Sequence, residues 1–170
     1  MKRRWRSAAV AALVTAGCVS FDPAGPPVPD ITGLYTVTVA LTLTNEFEIR
    51  NDTLMGTAKL RDTGYRGRFE GTFAIAPDDS GPFEGALQTE GEMLVTSLGP
   101  PPKPIAGVRH IEQLYSWCEF ALLGMPPVTG TLAGDTLRVA VDASVPCLYQ
   151  LAGVTQTVHT QLQFRLSGTR

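Results

Sequence analysis

The sequence predicts an all-β fold: an antiparallel barrel of roughly eight to ten strands, with a two-sheet sandwich as the alternative. Three observations carry this. From Ile31 onward apolar and polar residues alternate with period two along most of the chain. Turn-forming clusters of Gly, Asn, Asp and Pro recur at short intervals, which joins neighbouring strands as antiparallel pairs and leaves little chain for crossovers. β-Branched and aromatic residues occupy the alternating positions, where a pleated, half-buried surface suits them. A barrel is preferred because closure removes exposed edges.

The strands follow in order. In the first run Tyr35, Val37, Val39, Leu41 and Leu43 alternate with Thr36, Thr38, Ala40 and Thr42. Glu46–Arg50 and Thr53–Leu60 flank Asn51 and Asp52, which predicts two strands joined by a tight reversal at that pair. In YRGRFEGTFAI, residues Tyr65, Gly67, Phe69, Gly71, Phe73 and Ile75 share one face, so large rings alternate with glycines as in a strongly bent sheet. Arg66, Arg68, Glu70, Thr72 and Ala74 take the other face. A turn over Pro77–Pro82 leads into Phe83–Thr89, and Gly91–Leu98 follows. Gly99–Pro104 then breaks the pattern.

Residues 105–123 are ambiguous. Val108, Ile111, Leu114, Tyr115, Cys118 and Leu122 recur at helical spacing, whereas Ile111, Gln113, Tyr115 and Trp117 make a partial strand alternation. The aromatic content favours strand; a helix over one end of the sheet is the alternative. The last third is β again. Val128–Leu132 and the turn Ala133–Asp135 precede a strand that faces Leu137, Val139, Val141, Ala143 and Val145 inward. The final strand buries Val158, Thr160, Leu162, Phe164 and Leu166 and exposes His159, Gln161, Gln163 and Arg165.

Gly33, Leu34 and Tyr35 at the start of the first strand, with Arg165 near the end of the last, resemble the lipocalins. In that family the first strand opens Gly-x-Trp and the last offers an arginine to pack on the ring; Tyr35 stands here in place of Trp. The resemblance implies an eight-stranded cup with an apolar ligand cavity. Tyr35, Phe69, Phe73, Phe83, Tyr115, Trp117 and Phe164 are then the candidates for its lining, or else the filling of a core. Eight strands leave room for either.

The N-terminus reads as an address. Lys2, Arg3, Arg4 and Arg6 precede an apolar stretch from Ala8 to Ala16, which is too short to span a bilayer and has the charge and residue order of a secretory signal. Thr15, Ala16, Gly17 and Cys18 close it, and they resemble the lipobox of bacterial lipoprotein precursors, with Thr15 where that class has Leu. The resemblance implies cleavage after residue 17 and lipid on Cys18, a membrane attachment that several acyl chains make firm. Val19 after the cysteine, where Asp favours the inner membrane within the class, points to the outer membrane or cell surface of the bacterial envelope. Residues 18–30, with Pro23, Pro26, Pro27 and Pro29, make an extended tether on the order of 40 Å long, and residues 31–170 a single β domain.

Loss of the first 17 of 170 residues takes Lys plus Arg from 14 to 10 against 16 acids and the formal charge from −2 to −6. No cationic cluster remains, so nucleic acid is not an expected partner. Two cysteines remain besides Cys18, and in an exported chain Cys118 and Cys147 have one intrachain pairing open to them. Neither has a metal-ligand spacing to His110 or His159, which read as polar strand residues.

Familiar catalytic signatures are missing: there is no GxSxG elbow, Walker loop or dinucleotide fingerprint. Of the carboxylate pairs, Asp78 and Asp79 read as a solvated turn, Glu46 and Glu48 as the wet face of one strand, and Asp135 with Asp142 as unassigned. Asn51-Asp52-Thr53 fits a glycosylation pattern but reads as a turn. The expectation is no catalytic or metal-ligating residue, no cofactor and no enzyme activity. A lipid-anchored binding or structural module follows, with the membrane and an envelope protein or small apolar ligand as partners. The alternatives are a lipocalin-like carrier and an unrecognised hydrolase.

Overall fold

The computed structural model describes residues 27–65, 67–75, 79–98, 118 and 128–170. Among them are eight strands: β1 (Gly33–Thr44), β2 (Ile49–Asp62), β3 (Arg68–Ile75), β4 (Asp79–Leu87), β5 (Glu92–Leu98), β6 (Val128–Ala133), β7 (Thr136–Leu151) and β8 (Val154–Thr169). They form one closed barrel in sequence order, each antiparallel to its neighbours, with β8 returning to β1. The predicted all-β barrel is therefore the fold, and the sandwich is set aside.

Period-two alternation sorts the two faces. Val37, Val39, Leu41, Leu60, Leu137, Val139, Leu162 and Leu166 are buried inside, while Lys59, Arg61, Arg68, Glu84, Arg138, Gln161 and Gln163 stand on the outer wall. An apolar interior under a polar wall is the reverse of a bilayer-spanning barrel, whose outward band is apolar.

The ends differ. At the first end lie the β2–β3, β4–β5 and β6–β7 turns, together with residues 27–32 and Arg170; Ile31 is buried there and Val28 packs on the core. The inward packing thus begins ahead of residue 31, where the sequence put the end of the tether. At the second end lie the β1–β2 loop and the Ala152-Gly153 turn. The wall is uneven there. β7, β8, β1 and β2 are adjacent and 16, 16, 12 and 14 residues long, whereas β3 to β6 have 8, 9, 7 and 6. β3 reaches only to Gly56 of β2 and β6 only to Ala140 of β7, so among the described residues half the wall stands well above the other half.

Prolines fit this unevenness. In a two-residue hairpin the flanking pair, Leu151 and Val154, is a bonded one, so odd-numbered β7 residues bond to β8 and even-numbered ones point away. Pro146 is even-numbered and lies beyond the reach of β6, so the ladder needs no N–H from it. Pro82 likewise falls one residue past the last β4–β5 pair.

Several expectations are corrected. Asn51 and Asp52 make no turn: they lie inside β2, opposite Thr42 and Leu41, and the reversal is at 45–48. Asn45 explains the difference, because its Oδ1 accepts the N–H groups of Phe47 and Glu48 at 2.9 and 3.0 Å and closes the loop locally. Glu46 and Glu48 therefore share a loop, not a strand face. Tyr65 and Gly67 leave the inner face of β3 and form the β2–β3 turn, with Tyr65 75% exposed and Gly64 and Gly67 at φ 79 and 67°. The turn placed at Pro77–Pro82 is shorter, since Asp79 to Pro82 already pair with Ile75 to Thr72. Asp79 is only 2% exposed, so it is no solvated turn acid. β7 continues through Pro146 and Cys147 to Leu151, past the sequence-based limit at Val145.

Residues 1–26, with Cys18, and the ambiguous 105–123 stretch, with His110, Tyr115 and Trp117, lie outside the described residues. Cys118 is the exception. It forms an isolated antiparallel bridge to Cys147.

Candidate functional site

The candidate site is the barrel interior and the two ends that close it. Five of the seven predicted rings are described, and all five point inward: Tyr35, Phe69, Phe73, Phe83 and Phe164 are each at most 2% exposed. A side chain so covered has no water-sized space beside it. Phe69 and Phe83 meet edge to face, centroids 5.7 Å apart at 75°. Gly85 leaves room for a ring: a Cβ there would lie 2.7 Å from the Phe69 ring, whereas on Gly71, between Phe69 and Phe73, it would meet the Lys59 carbonyl oxygen. The first glycine admits a ring and the second a neighbouring backbone.

The first end is a floor. The Tyr35 hydroxyl donates to the Ile31 carbonyl at 2.9 Å, pulling the incoming chain across the barrel. Arg170 lies over the Tyr35 ring, 5.8 Å from its centroid, and donates to Asp135 at 2.7 Å and to the Thr32 carbonyl at 2.9 Å. Burial pushes the Tyr35 phenol above its ordinary 10.0. The arginine expected on this ring was Arg165. It lies on the outer wall instead, donating to the carbonyls of Val141 and Phe164 and to Asp142 at 2.7 Å. Strand parity is the reason, because Arg165 sits between inward Phe164 and Leu166 and must face out. Arg170 follows the last strand and is free of that constraint.

The second end carries a polar cluster that links residues far apart in sequence. The Tyr149 hydroxyl donates to Glu48 Oε1 at 2.7 Å and accepts from Asn45 Nδ2 at 2.7 Å, and the same Nδ2 donates to the buried Thr160 hydroxyl at 3.0 Å. Arg50 holds the other Glu48 oxygen at 2.6 Å, and Phe47 packs on the Tyr149 ring with centroids 5.6 Å apart. The hydrogen bond from Tyr149, followed by that from Arg50, holds the Glu48 carboxyl below its ordinary 4.5, with burial opposing. This cluster pins the β1–β2 loop to the β7–β8 hairpin.

Sequence reasoning did not find it. Asn45 followed by Phe47 and Glu48 is a readable local turn signal, but nothing in the sequence ties it to Tyr149, 104 residues on. Beside the cluster is the predicted disulfide, Cys118–Cys147, spanning 29 residues. Cys147 bonds to β8 by its backbone, which leaves it a close, non-bonded pair with Cys118 on the other side.

The remaining candidates are dispersed. Asp135 pairs with Arg170 at the floor and Asp142 with Arg165 outside, so they share no site. His159 faces outward opposite Pro146. Among the described residues no three of His, Cys, Asp and Glu gather as metal ligands. Three clefts are described, of about 400, 350 and 320 Å3, lined by outer-wall residues such as Arg138, Arg165, Lys59 and Arg68 together with inward residues such as Val139, Leu166, Leu60 and Phe69, the first of them crossing β1, β8, β7 and β6.

Fold and site together define an eight-stranded up-and-down barrel with interlocked rings inside, a latched floor and a pinned upper rim. Comparison with protein-family models, with curated proteins and with solved structures finds no match to this chain.

Proposed function

We propose that this chain is a bacterial envelope protein held to a membrane by lipid on Cys18, with a barrel that acts as a non-catalytic binding or structural module. The burial of Tyr35, Phe69, Phe73, Phe83 and Phe164 is the observation that carries the second half, because a carrier of an apolar ligand needs its rings against open space. The anchor rests on the basic start, the short apolar run and the Thr15-Ala16-Gly17-Cys18 pattern.

The described chain enters the barrel at the first end, so an anchor upstream turns the floor toward the membrane. The tall half-wall then faces away, presenting Phe47, Leu148 and Val154, all exposed, to an envelope partner.

Two measurements test the reading separately. Mass spectrometry of the mature N-terminus is expected to show acyl chains on Cys18, and an unmodified thiol there overturns the anchor. Titration with an apolar fluorescent probe is expected to give no stoichiometric binding. Saturable binding that Phe73→Trp quenches would overturn the filled module in favour of the carrier.

A further inference from the structure

The cleft of about 400 Å3 across β1, β8, β7 and β6 combines small side chains with two arginines, and all of its lining residues are among those described. Arg138 stands opposite Ser167 in one row of the outer wall, and Arg165 lies between Ala40 and Ala140 in the next. Neighbouring strands are about 4.8 Å apart, so four of them make the cleft on the order of 14 Å long. The two guanidinium groups differ. Arg165 is already engaged: it donates to the Val141 and Phe164 carbonyls and pairs with Asp142, which draws it toward the second end. Arg138 is exposed and has no hydrogen-bond or ion-pair partner among the described residues. No acid lines the cleft. At this level each of the four strands is paired on both sides, so the ladder uses the backbone N–H and C=O groups.

We infer that this cleft binds a small amphipathic monoanion, a single carboxylate on a short apolar body. The carboxylate pairs with Arg138, whose planar fork matches its two oxygens. The apolar body lies over Ala140 and Ala40, along the aliphatic stem of Arg165. A phosphate monoester carries more than one charge at neutral pH, and the excess would sit unmatched near Asp142. An extended peptide would find no free backbone edge here to pair with. The volume lies at the small end of ligand pockets, which run from about 300 to 1,000 Å3, and suits one short chain.

The inference names a ligand for the binding module proposed above and rests on that half of the reading; it uses the outer wall and leaves the filled interior and the anchor untouched. Equilibrium dialysis of radiolabelled octanoate against the full chain in neutral phosphatidylcholine vesicles, with empty vesicles as the blank, is expected to show saturable binding. Octanamide, the same body without the charge, is expected to compete about tenfold more weakly or worse. Arg138→Gln is expected to lower octanoate affinity by about tenfold or more. Ala140→Leu keeps both arginines, fills the floor and is expected to abolish binding; thermal melts check that each variant folds. Absence of saturable binding, equal competition by octanamide, or an affinity unchanged in Ala140→Leu overturns the inference. The first two are read on the wild type and need no variant to fold. Octanoate binding that survives both substitutions but weakens in Phe73→Trp overturns the inference and the filled interior together.

Discussion

Gly85 is fixed by its neighbours. Besides the Phe69 ring, an added Cβ would lie 2.4 Å from the Leu94 carbonyl oxygen, at the one irregular step between β4 and β5. Gly85→Ala is expected to cost about 1–3 kcal/mol in urea unfolding, because backbone cannot yield as a flexible side chain would. Ala152 shows the opposite case. It and Gly153 turn β7 into β8 with φ of 50 and 81°, the two positive values that a tight hairpin needs and that a β-carbon resists. Ala152→Asn is expected to raise stability by about 1 kcal/mol by the same assay. At Glu48 the effect depends on pH. Its carboxyl is held below 4.5 chiefly by the Tyr149 hydroxyl, so its contribution to stability is present above that value and lost as pH falls through the lower folded one. The urea midpoint of Tyr149→Phe should therefore lie below that of the wild type at neutral pH, and the gap should narrow as pH falls through the lowered folded value.

Element by element, the long strands rely on each other. β7 above Ala140 has no partner strand on its outer side among the described residues, and Cys118 is what touches it there. The disulfide ties the connection between β5 and β6 to the tall half-wall. Closing a loop of 29 residues contributes about 3–4 kcal/mol on the chain-entropy account. Cys118→Ala with Cys147→Ala is expected to lower the unfolding free energy by that order, while the wild type under reductant should match the double variant. β2 was harder to read than β7. Asn51 and Asp52 have the composition of a turn, but a strand as long as β1 rewards a partner along its whole length, and Thr42 Oγ1 donates to Asn51 Oδ1 at 2.8 Å to hold it. Tertiary pairing overrides the local preference.

The whole molecule closes because its two ends meet at the floor. Ile31 is drawn in by the Tyr35 hydroxyl, and Arg170 spans from Asp135 to Thr32 over the same ring, so the segments before β1 and after β8 seal one opening together. Ile31→Ala is expected to cost about 2–5 kcal/mol and to admit an apolar dye at the first end, measured by chemical unfolding and by dye fluorescence. A loss of stability without dye entry would mean that the remaining floor closes over the gap.

The all-β class, the inward faces of β1, β7 and β8, five of the seven rings and the Cys118–Cys147 pair were legible in the sequence, because period-two alternation and cysteine count are local, additive signals. Where the chain reverses, which arginine covers Tyr35, and the meeting of Asn45, Glu48 and Tyr149 were not. Those depend on register and strand length, which are set when distant strands compete for backbone hydrogen bonds. Alternation tells a residue which face it takes; only the closed barrel decides what waits for it there.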